Sequence, residues 1–356
     1  MTELISEGRA RIAVDGVFYN PRMRLCRDMD MIVFSELRKS GGSGVNRHSY
    51  LDALAATGIR GIRAFLEADF TPFFNDVDIK AVETIKRNLQ LNGIEAEVFN
   101  RDAVALMRER SFYHIDIDPF GSPAQFVDAA CYSARRFLSV TATDTAALCG
   151  SATVSGLRKY SAYAIKTPFM HEVGIRILLG KVVREATKYD KAVLPLISWA
   201  KEHYYRIHLR IIFSSKEAGR IYEKMGYIMY CGCGRIWWSS MYETPETLCS
   251  CGEKAVMLGP LWLGELEQKD FVEKLVDGSE GKMKDVFRRI YEELSVPFHY
   301  DLHNVCRRLR TAPPPVEKII GELRELGYAA SRTRFSGTSF KTDAPLEEVE
   351  KIIAGV

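Results

Sequence analysis

Hydrophobic positions between residues 48 and 145 follow two alternating periods. Short apolar runs of strand type, such as the one in TPFFNDVD (71–78), are each followed by stretches in which apolar residues recur every three or four positions. The stretch after this run places Val82, Ile85 and Leu89 on one helix face. Strands that alternate with helices indicate a parallel sheet covered on both faces. The pattern therefore predicts an α/β fold with a doubly wound sheet.

The pattern changes beyond this region. LPLISWAKEHYYRIHLRIIF (194–213) alternates like a pair of strands, and a cysteine-rich hairpin follows it. After a linker-like change near GPLWLGEL, amphipathic helices precede Pro313–Pro315, which must break a helix. Residues 316–326 then have an apolar helix face, and RTRFSGTSFKT predicts a hairpin around Ser336-Gly337. We expect a C-terminal α+β domain that ends in a winged-helix-like module.

Composition and charge narrow the class of protein. The chain has 356 residues, 47% hydrophobic and 27% charged, which excludes a disordered or fibrous protein. Its net charge of +3 is small, but residues 301–341 carry eight basic and four acidic side chains, a local net charge of +4. The apolar runs are shorter than the roughly 20 residues of a membrane span, and the N-terminus lacks a signal-peptide core. We expect a soluble cytoplasmic protein with no membrane contact.

Four of the eight cysteines lie within 21 residues, as the pairs Cys231/Cys233 and Cys249/Cys251. In a cytosolic chain, two close cysteine pairs on glycine-containing turns indicate a metal site rather than disulfides. Four thiolates suit tetrahedral zinc, so we predict a structural zinc site here. Each pair is C-x-C, one residue tighter than the usual C-x₂-C, and a reduced, metal-free hairpin is the alternative.

The motif IDIDPFGSP (115–123) places an acid at a strand end, before proline and an aromatic residue. It matches the [D/N/S]-P-P-[Y/F] pattern of enzymes that methylate exocyclic amines of bases. Such an amine is a poor nucleophile because its lone pair is delocalised into the ring, and a carboxylate such as Asp118 can accept its hydrogen bonds and localise that pair. Phe120 offers a stacking face to a flipped base, and Pro119 stiffens the turn. The alternative is a strand-end turn with a capping Asp.

Acidic residues follow the other predicted strands as well. Asp52 precedes the small-residue turn AATG, and Asp76 lies where a carboxylate can take both ribose hydroxyls. Asp102 is placed to accept a hydrogen bond from an adenine amino group, with the Ala103 amide as a donor to the ring. Three acids at successive strand ends favour S-adenosylmethionine as the cofactor. The alternative is that each of them caps a helix.

Together these motifs resemble the archaeal tRNA guanine-26 N2-dimethyltransferase family. The resemblance covers nearly the whole chain, in stretches that include VFYNPRMRLCRD (17–28), LDALAATGIRGIRAF (51–65), NRDAVALM (100–107), IDIDPFGSP and RTRFSGTSFKTDAP (332–345). It implies three regions: a class I (Rossmann-like) methyltransferase domain over 1–227 with an N-terminal segment over the active site, a zinc hairpin over 228–262, and a tRNA-binding domain over 263–356.

The resemblance also implies roles for single residues. Asp118 would contact and deprotonate the guanine N2 amine, and Phe18 and Phe120 would sandwich the flipped base. From the residues alone, Phe18 and Tyr19 are predicted to be an apolar anchor. Zinc would have no part in the chemistry, because the four-cysteine hairpin is absent from some family members.

For the cofactor, the resemblance implies contacts at both ends of S-adenosylmethionine. Arg27 and Arg60 would lie around its methionine end. Asp76 would bind the ribose, and Asp102 and Ala103 would bind the adenine.

A basic surface is expected to hold the tRNA backbone. Arg332 and Arg334 alternate onto one face of the predicted hairpin, and with Lys341 they are the predicted contacts; a merely solvated basic face is the alternative. No obligate protein partner is implied. Two other functions stay open: methylation of another exocyclic amine, such as guanine N2 in ribosomal RNA or adenine N6, and a catalytically inactive, zinc-stabilised RNA-binding protein.

Overall fold

The protein is represented by a computed structural model that describes residues 4–14, 16–40, 48–201 and 203–355. Its N-terminal segment forms an antiparallel pair of strands, β1 (Leu4–Glu7) and β2 (Ala10–Ala13), before a short 3₁₀ turn and helix α1 (Arg24–Lys39). Proline at the start of the 3₁₀ turn and the Asn20 side chain, which accepts a hydrogen bond from the Arg22 amide, begin this helical region. The segment thus enters the fold just ahead of α1.

The alternating pattern forms one large sheet with helices between its strands, as predicted, and this sheet has seven strands, one of which is antiparallel to its neighbours. Its first part comprises β3 (Ser49–Asp52), α2 (Ile59–Ala68), β4 (Thr71–Asn75), α3 (Ile79–Leu91), β5 (Glu97–Phe99), α4 (Ala103–Glu109), β6 (Phe112–Ile117), α5 (Val127–Ser133) and β7 (Ala134–Ala142). Its second part comprises α6 (Thr145–Leu148), α7 (Thr153–Tyr160), α8 (Met170–Thr187), β8 (Lys191–Lys201) and β9 (Tyr204–Phe213). The strand order is β5-β4-β3-β6-β7-β9-β8.

The register of this sheet gathers several loops at one edge. Strands β3 to β7 run parallel, and Asp52 lies beside Asp116 where β3 and β6 end. Strand β9 runs antiparallel to both of its neighbours, β7 and β8, and Tyr205 near the start of β9 pairs with Ala142 at the end of β7. The turn between β8 and β9 therefore lies at the same edge as the loops that follow β3, β4, β5 and β6. In such sheets this edge is the usual position of a ligand.

A second, smaller sheet contains the four-cysteine hairpin. After α9 (Ser215–Tyr222), strands β10 (Met225–Tyr230), β11 (Ile236–Ser240) and β12 (Val256–Trp262) form an antiparallel sheet in the order β11-β10-β12. Met225, Ile228 and Trp262 belong to the same buried cluster as the residues of the large sheet. The predicted boundary at residues 227/228 thus falls inside β10, because this strand packs onto the core of the preceding region.

The helices α10 (Lys269–Asp277) and α11 (Gly281–Glu292) also pack onto the large sheet region. Val272 and Phe287 share a buried cluster with Phe34 of α1 and Tyr50 of β3. Of the range predicted as a C-terminal domain, 263–356, these two helices therefore join the core of the first domain. The apolar faces of α10 and α11 hold the two helices against this core.

The last part of the chain, which we call the C-terminal module, has a core of its own. It comprises β13 (Tyr300–Asp301), α12 (Leu302–Leu309), α13 (Val316–Glu325), β14 (Ala330–Arg332), β15 (Ser339–Thr342) and α14 (Leu346–Gly355). Strands β14 and β15 form the predicted hairpin, with Ala330 opposite Thr342. Two helices followed by a hairpin match the winged-helix-like arrangement expected from the sequence.

Two of the three basic residues predicted to contact tRNA are buried, which corrects that prediction. The Arg334 side chain is 4% exposed, and its guanidinium pairs with Glu293 and Glu267. The Lys341 side chain is 2% exposed, and its Nζ lies 3.1 Å from Glu172 and 3.0 Å from Glu293. Both cations face acids of the preceding region because the hairpin docks onto it. Neither can reach a phosphate in this arrangement.

Helix α8 packs between the large sheet and the smaller sheet. It is 18 residues long, and most of its residues are buried between the large sheet and β12. Gly180 permits this contact, because a Cβ there would come within 3.2 Å of the Leu261 Cα.

Among the described parts of the chain, no helix combines the length and the hydropathy needed to cross a membrane.

Candidate active site

A cavity of about 390 Å³ lies at the carboxyl edge of the large sheet, between the N-terminal segment and the loops after β3 and β6. The structure brings together at this cavity seven of the residues predicted from the sequence: Phe18, Arg27, Asp52, Arg60, Asp118, Pro119 and Phe120. Its volume lies in the range of small-molecule sites. The cavity is therefore the candidate active site.

The turn between β3 and α2 forms one wall of the cavity. Gly58 has a φ of +77° at the start of α2, a conformation that favours glycine. Gly61 lets the helix approach the sheet, because a Cβ there would lie 2.3 Å from the Phe74 ring. The amide of Gly61 donates to Asp52 Oδ2 at 3.1 Å. Burial raises the pKa of Asp52 well above its usual range, and the charge of Asp116 raises it further.

Asp118 follows β6 and is held by Arg60 on α2. The Arg60 guanidinium donates to Asp118 Oδ2 through Nη2 and pairs with Asp30 through Nη1. The Arg60 side chain is 4% exposed, whereas Asp118 is 24% exposed and faces the cavity. The loop after Asp118 is fixed too, since the Gly121 amide donates to Thr143 Oγ1 at 2.7 Å. One carboxylate oxygen of Asp118 is thus engaged, and the side chain has a defined orientation.

Buried ion pairs hold the Arg60 side chain in position. Arg206 of β9 donates to Asp116 from both Nη atoms, at 2.7 and 2.8 Å, and to Asp30 from Nε at 2.9 Å. Burial favours the neutral form of Asp116, but the Arg206 guanidinium outweighs it and lowers the pKa of Asp116 to about 2. Removing one member of such a pair leaves an uncompensated buried charge. We call Asp30, Arg60, Asp116 and Arg206 the catalytic ion cluster.

The N-terminal segment is tied down over the cavity. Arg27 donates to both carboxylate oxygens of Glu7, at 2.7 and 2.6 Å, and the Tyr19 hydroxyl donates to the same carboxylate at 2.8 Å. Burial opposes ionisation of Glu7, but hydrogen bonds from Arg27 prevail and lower its pKa to about 2. Tyr19 also packs against the buried cluster that includes Ile12 and Phe74, as an apolar anchor does, whereas the anchor prediction is wrong for Phe18, which is 58% exposed.

Two exposed aromatic rings cover the mouth of the cavity. Phe18 comes from the N-terminal segment and Phe120, 89% exposed, from the loop after β6. Their centroids are 5.6 Å apart with an interplanar angle of 73°. Exposed aromatic side chains on two separate elements, in edge-to-face contact, leave their apolar faces available to a planar ligand.

Asp76, Asp102 and Ala103 lie at the same edge of the sheet but do not line this cavity. Asp76 Oδ2 accepts a hydrogen bond from the amide of Ala56, a cavity residue, at 2.9 Å. Asp102 caps α4, since its Oδ1 accepts from the Ala105 amide at 2.9 Å, and its side chain is exposed. Asp102 therefore does cap a helix, which was the alternative to a role in binding the cofactor. Its second oxygen is available to a ligand.

The four cysteines form a compact cluster of sulfur atoms, all within 4.8 Å of one another. Cys231 and Cys251 are 3.5 Å apart and Cys233 and Cys249 are 3.6 Å apart. Tetrahedral zinc with sulfur ligands at about 2.3 Å requires sulfurs roughly 3.8 Å apart. The cluster fits this requirement and could bind zinc.

Residues that the sequence analysis missed complete the site. Asp30 and Arg206 support Arg60, and His203 lines the cavity from the turn between β8 and β9. A signal existed for Arg206, because it and His208 are polar residues two positions apart in an apolar strand, on one face. In the structure, both side chains are completely buried. Charged side chains are almost never fully buried unless they are paired, so polar residues on the inner face of a strand indicate buried partners. Nothing local marks His203.

The fold and the cavity define a class I (Rossmann-like) methyltransferase. The family model described as N2,N2-dimethylguanosine tRNA methyltransferase matches residues 5–354. The chain therefore belongs to this family.

Individual relatives agree with this assignment. A tRNA (guanine(26)-N(2))-dimethyltransferase of Archaeoglobus fulgidus is 54% identical over 350 residues, 98% of each chain. One of Methanoculleus marisnigri is 39% identical, over 99% of this chain and 98% of the relative. Among solved structures, Trm1 from Pyrococcus horikoshii in complex with S-adenosyl-L-methionine superposes with a TM-score of 0.90 at 37% identity, covering 99% of each chain.

Proposed function

We propose that the chain transfers methyl groups from S-adenosylmethionine to the exocyclic N2 of guanine-26 in tRNA, giving N2-methyl- and then N2,N2-dimethylguanosine. The observation that carries this proposal is the position of Asp118. Its carboxylate is oriented by Arg60 and faces a cavity covered by Phe18 and Phe120. Family membership and the names of the relatives support the same reaction.

The first step is capture of the guanine. A base inside a folded tRNA must leave its stack to reach the cavity. Phe18 and Phe120 separate from their edge-to-face contact and stack on the two faces of the flipped base. Because the two rings belong to different elements, a small movement of either loop suffices.

The second step uses Asp118 on the amine. Its Oδ2 is held by Arg60, so Oδ1 is the oxygen that accepts a hydrogen bond from guanine N2. This bond localises the nitrogen lone pair toward the methyl group that S-adenosylmethionine supplies when it is bound. As the N–C bond forms, the bond between the sulfonium sulfur and the methyl carbon would break and S-adenosylhomocysteine would be the leaving group; the amine becomes more acidic, and Asp118 accepts the proton that it loses. A second round on the same nitrogen requires only that one N–H is left.

The cofactor contacts are proposed from the loops at the strand ends. Asp76 would hold the ribose and Asp102 with Ala103 the adenine, whereas Arg27 and Arg60 would lie near the methionine end. Both arginines already pair with acids, so their charges are largely compensated before the cofactor binds. This favours a positional role over a strong ionic contact with the cofactor carboxylate.

Zinc, where bound, would be held by Cys231, Cys233, Cys249 and Cys251 and would stabilise the smaller sheet. The cluster contributes no residue to the cavity that holds Asp118. We expect the protein to modify its tRNA substrate in the cytoplasm.

The test is incubation of the purified protein with an unmodified tRNA transcript and labelled S-adenosylmethionine, followed by nucleoside analysis. We expect N2-methyl- and N2,N2-dimethylguanosine. The matched control is a transcript in which adenosine replaces guanosine-26, which should stay unlabelled. N6-methyladenosine, or no labelled nucleoside at all, would reject the proposal.

A further inference from the structure

Because Arg334 and Lys341 are buried, another surface must hold the RNA near the loop that carries Asp118, Phe120 and Ser122, which we call the catalytic loop. Helix α7 offers such a surface. Val154, Leu157 and Arg158 lie at spacings of three and four residues, which puts them on one face of the helix. Val154 is 72% exposed and Leu157 is 46% exposed, and Arg158 is exposed as well. An apolar stripe with a cation at its end is thus open to solvent.

Helix α7 is rigidly connected to the loop that carries Asp118 and Phe120. The Tyr160 hydroxyl donates to Asp144 at 2.6 Å and lies 2.9 Å from Ser122 Oγ in the catalytic loop. Lys159 Nζ donates to Asp144 at 3.1 Å. On the buried side, a Cβ at Gly156 would lie 2.7 Å from the Ala147 carbonyl oxygen, so the helix is seated closely. Its exposed face therefore has a fixed position relative to the catalytic loop.

The loop after α7 extends this surface. Tyr163 exchanges two backbone hydrogen bonds with Gly259, both of 2.8 Å, which pins the loop to β12. The Tyr163 side chain is 37% exposed and Lys166 is exposed. Within the described residues, neither Arg158 nor Lys166 forms a side-chain hydrogen bond or an ion pair. Their charges are uncompensated and available to phosphates.

We propose that α7 and the following loop, through Leu157, Arg158, Tyr163 and Lys166, bind the tRNA strand that flanks the target guanine. RNA is favoured over a protein partner because the two free cations match phosphates and the surface is continuous with the catalytic loop. Leu157 and Tyr163 supply apolar contact to sugars and bases. The inference rests on the proposed function and adds the element that holds the neighbours of the flipped nucleotide.

The experiment compares two double variants of the full chain. Leu157→Ser with Arg158→Ala removes one exposed apolar side chain and one cation from α7. Leu91→Ser with Lys86→Ala is the matched control: it removes one exposed apolar side chain and one exposed cation from α3, which belongs to the opposite end of the sheet order. Affinity for unmodified tRNA is measured by fluorescence anisotropy at several salt concentrations. S-adenosylmethionine binding, measured by calorimetry, checks that each variant keeps its fold.

We expect the α7 variant to bind tRNA on the order of tenfold more weakly, with a salt slope reduced by about 0.7 to 0.9. The α3 variant should match the wild type. Equal tRNA affinity and salt slope in the two variants would overturn the proposal. A wild-type protein that binds tRNA but forms no methylated guanosine would instead reject the proposed function and leave the binding comparison intact.

Discussion

Two of the buried ion clusters in the described part of the molecule differ in what they contact. The catalytic ion cluster leads from Asp30 and Arg206 through Arg60 to Asp118, which is 24% exposed at the cavity. The second cluster, which we call the closed cluster, lies where the C-terminal module meets the preceding region, and none of its members lines the cavity that Asp118 faces. Its members are Glu172, Arg176, Glu267, Glu293, Arg334 and Lys341, each at most 4% exposed.

The comparison shows that the same type of interaction serves two purposes. In the catalytic ion cluster, the buried pairs fix the orientation of one carboxylate that faces a ligand cavity. The closed cluster pairs three acids with three buried cations, and a further, partly exposed cation, Lys269, lies 3.1 Å from Glu267. Buried ion pairs stabilise little in net terms, yet breaking one is costly. Changes in the first cluster should therefore affect the reaction, and changes in the second should affect the stability and the position of the module.

The largest effect is expected for Asp118→Ala. It removes the acceptor for the guanine amine, and we expect the single-turnover rate of methyl transfer to fall by about 10² to 10⁴. Cofactor affinity should change little. Rapid-quench kinetics on tRNA and calorimetry with S-adenosylmethionine measure the two quantities. A variant with a wild-type rate would refute the role of Asp118.

For the second cluster, Lys341→Met should lower stability rather than activity. It leaves Glu172 and Glu293 without a cation that both contact, which should cost about 3–5 kcal/mol of unfolding free energy. Denaturant unfolding followed by fluorescence measures this loss. Lys282→Met, on an exposed lysine of α11, is the control and should be nearly neutral. Equal stability of the two variants would contradict the buried position of Lys341.

Acid should weaken both clusters in the same direction. Arg206 lowers the pKa of Asp116 to about 2 against the effect of burial, and Lys341 and Arg176 likewise hold the pKa of Glu172 well below its usual range. Because the unfolded chain then binds protons that the folded chain does not, stability is present above about pH 4 and is lost as pH falls toward 2. Asp116 alone should account for on the order of 2 kcal/mol. The raised pKa of Asp52 acts in the opposite direction above about pH 4, so unfolding curves between pH 4 and pH 2 test this, and stability that stays constant over that interval would contradict it.

The smallest effect on stability is expected for Arg332→Ala. The Arg332 side chain is 34% exposed and pairs with Glu317, which is 70% exposed, so its loss should cost less than about 1 kcal/mol. Of the three basic residues predicted to contact tRNA, it is the exposed one. We expect a salt slope for tRNA binding reduced by about 0.7 to 0.9, measured on the same sample as the unfolding curve. A loss of several kcal/mol of unfolding free energy would contradict the surface position of Arg332, because only a buried, paired cation should cost that much.

The sequence predicted the sheet well because its information is local. The two periods of apolar residues determine strands, helices and their alternation, and IDIDPFGSP marks Asp118 and Phe120 without knowledge of the fold. The alternation of Arg332 and Arg334 predicts which residues share a face, but it cannot predict what that face meets. The partners of buried charges lie far along the chain: Lys341 contacts Glu172 across 169 positions, and Arg206 contacts Asp30 across 176. Only the tertiary structure shows these pairs.

The most direct test compares charge-conserving substitutions in the two clusters. Arg60→Lys keeps the cation but loses the planar group that bridges Asp118 and Asp30, and Lys341→Arg keeps the cation of the closed cluster. With tRNA and S-adenosylmethionine saturating, we expect single-turnover methyl transfer by Arg60→Lys to slow on the order of 10²-fold, because Asp118 is no longer held in place. Lys341→Arg should stay within about twofold of the wild type. Equal rates in the two variants, or a slower reaction in Lys341→Arg, would contradict the assignment of one cluster to the reaction and the other to the architecture.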